Sequence, residues 1–307
     1  MRNRFEIPAE LIGERADKIV ATLAGISRQQ ARSLFAGGVL VDARLIEPDE
    51  RVRGGAAIEF EELEEIRPLE PVAVPFEVRY EDEYLLVVDK PAGLVVHPGA
   101  GRENRTLAAG LIRRYQELEG VGGETRAGLV HRLDKETSGL LLVARSEDVH
   151  HELTGELAAR RIHRRYLTLV HGEMEMPTGT IDAPISRDPA RPTRKMVSPE
   201  GRPSRTHYRL RWQGERLALL DVDLETGRTH QIRVHLAAIG HPVVGDKVYS
   251  RRSSGLKRMF LHAARLEFLH PITGAKVSID SPLPAELAKA LEAFPGAADS
   301  LTAAGSG

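Results

Sequence analysis

The chain has 307 residues, with 43 Lys and Arg against 44 Asp and Glu, and no cysteine. This length is enough for one large domain or two smaller ones. The near balance of charge excludes a protein that is basic throughout, so any nucleic-acid site must come from local charge. The absence of cysteine excludes disulfide bonds, thiol catalysis and cysteine-ligated metals. No apolar run approaches the roughly 18 residues of a membrane span, and residues 1–10 lack a secretory signal, so we expect a cytoplasmic protein with no membrane partner.

The first 62 residues have the pattern of a small α+β domain. Apolar residues at helical spacing predict a helix over residues 16–25. Ser27 followed by Gln30 is a capping box, which predicts the start of a second helix. The two glycines at 37–38 predict its end. The β-rich runs that predict strands lie at 39–41 and 57–60.

An acidic, proline-containing stretch separates this domain from the rest of the chain. Between residues 61 and 83 there are nine acidic residues against two arginines, together with three prolines. Proline removes a backbone donor and restricts the preceding residue, which favours an extended conformation. We therefore predict a linker over 63–75, a second domain over 76–294 and a flexible tail over 295–307.

The second domain consists of short β-type runs with a few helical patterns between them. Ser146 is a suitable N-cap before one helical pattern, and Gly240 is a suitable stop after another. Strands in succession with scattered helices predict an α+β domain built on a mainly antiparallel sheet. The predicted strands are 84–88, 140–144, 166–170, 217–224, 260–268 and 275–279, and the predicted helices are 147–160, 230–239 and 285–294.

Basic residues are concentrated in two stretches of this second domain. Residues 158–216 contain thirteen Lys and Arg against six acids, and residues 225–271 contain eight against three. Each stretch taken alone is compatible with an ordinary solvated face. Two of them in the same domain favour a site for a polyanion.

The most informative segment is His131-Arg132-Leu133-Asp134-Lys135-Glu136-Thr137-Ser138-Gly139, which leads directly into the apolar run 140–144. A polar loop at the edge of a buried strand is a common place for a functional carboxylate. The flanking cations Arg132 and Lys135 favour the ionised form of Asp134. Asp134 is therefore a candidate for the chemistry of this chain.

Two other interpretations of this segment stay open at the level of sequence. Ser138 with His131 and Asp134 suggests a hydrolase. However, a nucleophile elbow has glycine two residues before the serine, and this chain has Glu136 there. The other interpretation is a simple turn, in which Asp134 and Thr137 only bond the backbone.

A second polar segment, residues 225–235, joins the run 217–224 to the predicted helix 230–239. Arg228 and Arg233 lie near the start of that helix, where backbone donors and cations favour an anion. The alternative is a helix N-terminus with polar residues in solvent. The sequence has no phosphate-loop motif and no histidines at metal-ligand spacing, so we expect neither a cofactor nor a metal.

Together with residues 88–99, these two segments closely resemble the pseudouridine synthases of the RluA type. The family motif H-R-L-D-x-x-[ST]-[ST]-G matches residues 131–139. The later motif G-R-x-H-Q-[IL]-R-x-H matches residues 227–235, and residues 241–246 are also typical of the family. The resemblance covers about residues 76–283.

The N-terminal domain resembles the S-four-type RNA-binding domain, which is named for a ribosomal protein. Its position in front of the catalytic domain is typical of the RluD-like members, which modify large-subunit ribosomal RNA. The resemblance thus implies two domains: an RNA-binding domain over 1–62, and an α+β catalytic domain with a mixed, mainly antiparallel sheet.

The resemblance also implies a reaction, the isomerisation of uridine within an RNA chain, which needs neither cofactor nor metal. Asp134 matches the catalytic aspartate, and Arg233 matches the arginine that pairs with it. Tyr166 matches the tyrosine that closes on the target base, where its ring can stack on uracil and its hydroxyl can exchange a proton at C5. Whether Asp134 attacks the base, attacks the sugar or removes a ribose proton stays open.

Residues that contact RNA are implied in the same way. Arg132 would enter the space left by the target base, which must leave the stack to be reached. The expected partner is RNA, with large-subunit ribosomal RNA favoured, and the expected state is a monomer. The alternatives are a transfer-RNA substrate and a non-catalytic RNA-binding factor in ribosome assembly. The other residues predicted to contact RNA are His131, Arg164, Arg165, Arg228 and His230 in the catalytic domain, and Arg28 and Arg32 in the N-terminal domain.

Overall fold

The computed structural model describes residues 2–54, 57–61, 69–98, 103–252 and 255–301. The chain divides into two compact units, Met1–Arg67 and Pro68–Gly307. No helix within the described ranges has both the length and the apolar character that crossing a bilayer requires.

The first unit is a small antiparallel sheet with two helices. Its elements are β1 (Arg2–Glu6), α1 (Ala16–Ala24), α2 (Arg28–Leu34), β2 (Val39–Val41), β3 (Arg44–Ile46) and β4 (Ala57–Glu61). The four strands lie in the order β1-β4-β2-β3. Apolar side chains from the helices and the sheet form one buried core, which includes Ile19, Ala31, Val39 and Ile58.

The helix boundaries of this unit follow the signals in the sequence. The predicted capping box is confirmed: the Ser27 N–H donates to Gln30 Oε1 at 2.9 Å, and the Gln30 N–H donates to Ser27 Oγ at 3.3 Å. The chain then leaves α2 through a 3₁₀ turn, which ends at Gly38. Strands β1 and β3 lack a strong apolar alternation, and the sequence did not predict them.

The second unit contains eleven strands and four α-helices within its described residues. The strands are β5 (Glu77–Glu81), β6 (Leu85–Lys90), β7 (Ser138–Ala144), β8 (His163–His171), β9 (Thr178–Asp182), β10 (Ile185–Asp188), β11 (Arg191–Val197), β12 (Arg205–Gln213), β13 (Leu217–Leu224), β14 (Leu261–Leu269) and β15 (Lys276–Asp280). The helices are α3 (Leu107–Arg114), α4 (Glu147–Ala158), α5 (Gln231–Ala238) and α6 (Ala285–Glu292).

Nine of these strands form one sheet in the order β5-β6-β7-β14-β8-β13-β12-β9, with β15 paired to β14. Strands β7 and β14 are parallel, and the other neighbouring strands of this sheet are antiparallel. The predicted α+β class with a mainly antiparallel sheet is therefore confirmed. Strands β10 and β11 form a separate hairpin between β9 and β12.

Both faces of the central strands are buried. Side chains alternate between the two faces of a strand, so an apolar run that continues through every position, such as Leu140 to Ala144, must be covered on both sides. Leu141 packs in the same core cluster as Leu111 of α3. Leu142 packs in another cluster with Leu153 of α4.

Gly139 lies where β7 meets the parallel strand β14. Its φ is +113°, and a Cβ added there would lie 2.2 Å from the Ala263 carbonyl oxygen. Only glycine fits such a backbone conformation at so close an approach. The junction therefore holds the end of the 131–137 loop firmly against β14.

Both ends of the second unit pack onto its core where they are described. Leu69 is buried in this core, and the Val72 N–H donates to the Ala109 carbonyl at 3.3 Å. Residues 69–75 of the predicted linker thus lie against α3, whereas residues 63–68 fall outside the described ranges. In the predicted tail, Ala297 is buried and the Trp212 indole donates to the Pro295 carbonyl. Residues 302–307 fall outside the described ranges.

Candidate active site

The two polar segments singled out in the sequence meet at one cavity of about 750 Å³. Asp134 reaches it from the loop before β7, Tyr166 from β8 and Arg233 from the first turn of α5. These residues are far apart in the chain. The sheet brings them together because β8 and β13 are neighbours, and the chain passes from the end of β13 into α5.

Asp134 is paired with Arg233 rather than with its neighbours in sequence. Arg233 Nη1 donates to Asp134 Oδ2 at 2.8 Å, and the two side chains are 8% and 17% exposed. Lys135, which the sequence suggested as a partner, instead bonds Glu103 at 3.4 Å. The carboxylate thus faces a cavity of limited water access, with a guanidinium on one side.

Arg233 also contacts a second carboxylate, that of Asp246, through Nε at 2.7 Å and Nη2 at 3.0 Å. Burial by itself lowers the pKa of an arginine, but the bonds to Asp246 and the charge of Asp134 raise the pKa of Arg233 above its ordinary value. Arg233 is therefore a permanent cation in this site.

Tyr166 is 4% exposed and lies on the cavity face of β8. Burial raises the pKa of Tyr166, so its hydroxyl keeps its proton near neutral pH. Arg164, two residues earlier on the same strand face, also lines the cavity. Alternation along the strand places Arg165 on the other side, where it pairs with Asp223 at 3.2 Å.

Ser138 does not support the hydrolase interpretation. It is 1% exposed and is not among the described residues that line the cavity. Its hydroxyl lies 2.9 Å from His262 Nδ1 and accepts a bond from Arg258 at 2.8 Å. The other nitrogen of His262 contacts the backbone carbonyl of Ser281, so no carboxylate orients this histidine. The serine and its histidine are a buried structural pair.

A sequence model of the RNA pseudouridylate synthase family matches residues 84–238, a stretch that includes Asp134, Tyr166 and Arg233. The chain belongs to this family. It is an RNA pseudouridine synthase of the RluA type, similar to RluD-like members over nearly its whole length.

Relatives with known names support this placement of the synthase. It is 40% identical over 305 residues to the ribosomal large subunit pseudouridine synthase D of Xanthomonas campestris pv. campestris, covering 94% of this chain and 91% of the relative. It is 47% identical over 294 residues to an uncharacterized RNA pseudouridine synthase of Chloroflexus aurantiacus, covering 92% and 90%. The structure of human RNA pseudouridylate synthase domain containing 1 is 28% identical, with a TM-score of 0.55, covering 68% of this chain and 84% of that one.

The loop that carries Asp134 is tied down by Lys90, a residue to which the sequence gave no role. Lys90 is fully buried, and its Nζ donates to the carbonyls of Pro91 at 2.9 Å, Leu94 at 2.9 Å and Lys135 at 3.1 Å. Burial lowers the pKa of Lys90 to about 7. The sequence feature that could have indicated this role is the position of Lys90 at the end of the apolar run of β6. A lysine buried there needs several hydrogen-bond acceptors.

Several residues predicted to contact RNA line the cavity of the synthase. Arg228 and His230 reach it from the segment before α5, and exposed Arg132 lies next to Asp134 in the chain. His131 lines it as well, but its Nε2 accepts a bond from the Leu142 N–H at 3.2 Å. Burial lowers the pKa of His131 to about 3, so the ring is neutral and helps to attach the loop to β7.

Arg28 and Arg32, the two RNA-contacting candidates of the first unit, surround a buried aspartate. Asp17 has a fully buried side chain and accepts bonds from Arg15, Arg28 and Arg32. The bonds from Arg15 and Arg28 lower the pKa of Asp17 to about 2. Arg28 and Arg32 remain 55% and 45% exposed. Their guanidinium groups are thus held in place at the surface.

Within the residues that the structure describes, no three His, Asp or Glu side chains are grouped as metal ligands would be.

Proposed function

We propose that this synthase converts uridines of large-subunit ribosomal RNA into pseudouridine, with Asp134 as its catalytic carboxylate. The single observation that carries the role of Asp134 is its ion pair with Arg233 at the wall of the cavity. The choice of RNA is supported by near full-length similarity to relatives named for the large ribosomal subunit.

The reaction is an isomerisation, and its atoms balance without a co-reactant. The bond from uracil N1 to ribose C1′ breaks, the base turns, and C5 forms a bond to C1′. C5 then loses a proton and N1 gains one. A carboxylate suits this chemistry because it can stabilise or attack an electron-poor anomeric or pyrimidine carbon. Arg233 keeps Asp134 oriented through their ion pair while the base turns.

The cavity can take a nucleotide that has left its stack. Its volume of about 750 Å³ lies within the ordinary range of ligand pockets. We propose that the Tyr166 ring stacks on the uracil and that its protonated hydroxyl contacts the base. Exposed Arg132 fills the gap left in the RNA.

Phosphate recognition falls to the basic residues that line the same cavity. Arg164 is buried, and its Nη2 donates to the Leu224 carbonyl at 3.5 Å, a weak contact for a guanidinium. A Cβ at Gly227 would lie 2.9 Å from Arg164 Nη1, so glycine leaves room for that group. We propose that Arg164 and Arg228 bind backbone phosphates beside the target nucleotide.

We also propose that the first unit is an RNA-binding domain over residues 1–62 and that residues 76–294 form the catalytic domain. The segment 63–75 joins them, and its residues 69–75 pack against α3 of the catalytic domain. The support for RNA binding by the first unit is the exposed arginine cluster on α2, held by Asp17. Such contacts add affinity that falls with salt.

Tritium release from C5-labelled uridine in unmodified large-subunit ribosomal RNA tests the proposed function. Wild type and the control Asp148→Asn, a change of an exposed aspartate on α4, are expected to release tritium. Asp134→Asn is expected to lose at least about 100-fold in rate, because it removes the charged group that acts on the base or sugar.

Three other results would contradict parts of this proposal. Near-normal turnover by Asp134→Asn removes Asp134 from the mechanism. Release from transfer RNA but not from ribosomal RNA corrects the substrate. RNA that is bound in a salt-sensitive way, with no release from either RNA, supports the assembly-factor alternative.

A further inference from the structure

Arg233 is held between two carboxylates. One N–H group faces Asp134, while Nε and Nη2 bind Asp246 side-on in a bidentate contact. The three side chains together have a net charge of about −1 when both carboxylates are ionised. Asp246 thus takes up two of the donors of Arg233 and fixes which edge of the guanidinium is presented to Asp134.

Asp246 is itself held rigidly. Its side chain is fully buried, and Oδ1 also accepts bonds from the N–H groups of Val248 at 2.8 Å and Tyr249 at 3.1 Å. Burial raises the pKa of Asp246, but Arg233 and the backbone donors outweigh this effect and lower its pKa. A permanently charged and immobile carboxylate is well suited to orient an arginine.

Tyr249 contacts both of the basic side chains that face Asp134. Its ring lies over the guanidinium of Arg233, with Cζ 5.0 Å from the ring centroid. Its hydroxyl oxygen accepts the Lys195 N–H at 2.8 Å and lies 3.0 Å from His230 Nδ1. Because the amide already donates to this oxygen, the hydroxyl proton of Tyr249 is available for His230.

Donation from the Tyr249 hydroxyl would fix the tautomer of His230. Burial lowers the pKa of His230, so the ring is neutral near pH 7. If Nδ1 accepts the tyrosine proton, the ring N–H is on Nε2, which lies 4.0 Å from Asp134 Oδ2. The backbone of His230 has φ +60°, a conformation that persists only when the surroundings maintain it.

We propose that Asp246 and Tyr249 are positioning residues of the isomerisation, which act through Arg233 and His230 to aim two N–H groups at Asp134. This inference rests on the proposed function of Asp134. It adds that the chemical step depends on two side chains that do not themselves touch the RNA base.

The test compares kcat and KM for tritium release by Asp246→Asn and Tyr249→Phe. Each is expected to lower kcat at least about tenfold, because small displacements of reacting groups are costly, while KM for RNA changes less than about threefold.

Asp221→Asn and Tyr115→Phe are the matched controls. Asp221 is half of another buried aspartate–arginine pair, with Arg211 at 2.6 Å, and the Tyr115 ring lies beside Arg145 with its hydroxyl bonded to Glu81. Both controls are expected to keep kcat within about threefold, since neither residue lines the cavity that Asp134, Tyr166 and Arg233 share.

The outcomes separate this inference from the proposed function. If Asp134→Asn is inactive but both variants keep the wild-type kcat, Asp246 and Tyr249 have no positioning role. An increase confined to KM likewise overturns the proposal, as does an equal fall of kcat in the matched controls. Should Asp246→Asn fail to fold, Tyr249→Phe decides the outcome alone, because it removes a single hydroxyl and keeps the ring over Arg233. Full activity of Asp134→Asn instead refutes the proposed catalytic role of Asp134, on which this inference rests.

Discussion

Gly139→Ala should destabilise the second unit strongly, although it adds a single methyl group. The residue has φ +113°, and the new Cβ would lie 2.2 Å from the Ala263 carbonyl oxygen and 2.7 Å from its amide nitrogen. A strained backbone of this kind costs about 1–3 kcal/mol. The clash is with backbone rather than with a flexible side chain, so the pairing of β7 with β14 must also shift.

The expected loss is at least about 3 kcal/mol, because each buried backbone group left without a partner adds about 1–3 kcal/mol to the strain. In a protein of this size that corresponds to a fall in Tm of roughly 6–12 °C. The loss of activity should be larger than the unfolded fraction alone would cause, since Gly139 ends the loop that carries Asp134.

The chain offers a fluorescent probe of the second unit and a control glycine substitution that is expected to stabilise it. Trp212 is the single tryptophan of the sequence and lies in the second unit, so its fluorescence during denaturation reports that unit. Gly155→Ala makes the same substitution within α4, where a Cβ would meet nothing within 4 Å. That variant should gain about 0.5–1 kcal/mol from better helix propensity. Equal stability of Gly139→Ala and wild type would refute this reasoning.

Two further perturbations test other parts of the molecule. Ser138→Ala should lose about 1–3 kcal/mol of unfolding free energy, because His262 and Arg258 each lose a hydrogen-bond partner. The variant should still form pseudouridine. Abolished turnover in a folded variant, or labelling of Ser138 by a serine-directed reagent, would contradict the structural role of this serine. The pKa of Asp17 is lower in the folded than in the unfolded state, so its contribution to stability is complete above about pH 4 and is lost as the pH falls towards 2. The protection factors for hydrogen exchange in α1 and α2, which correct for the intrinsic pH dependence of exchange, should therefore fall over this range in wild type and much less in Asp17→Asn, and identical profiles would contradict the assigned role.

The elements that could be predicted from sequence are those whose burial leaves a clear pattern. Strand β7 and helix α4 follow one another as an apolar run, then Ser146 as N-cap, whose hydroxyl accepts the Val149 N–H. Strand β12 was missed because it reads R-T-H-Y-R-L-R-W-Q, with charged residues that pair across the sheet, such as Arg211 with Asp221. Helix α3 was missed because Gly110 interrupts it, and that glycine is needed where Val74 packs.

The site was predictable in its residues but not in its full geometry. Asp134 and Arg233 are 99 residues apart, and no local pattern joins them; the family motifs placed them together. The same motifs included Asp246 without indicating its contact. A fully buried aspartate after a turn glycine needs a cation or several donors, which is a physical reason to seek a partner but does not identify Arg233. Arg165 is the opposite case, a residue predicted to contact RNA that does not line the cavity. Strand alternation turns it away from the face that Arg164 and Tyr166 share.

The position of β14 between β7 and β8 has a consequence for how this enzyme is made. Strands β7 and β8 leave the ribosome early, but the strand that pairs with both begins only at Leu261. Until β14 is synthesised, the edges of β7 and β8 that it later pairs with are unpaired, and such edges are prone to aggregation. The same strand provides the backbone against which Gly139 sets the Asp134 loop. A nascent chain therefore cannot acquire its catalytic geometry before the middle of its sheet is closed.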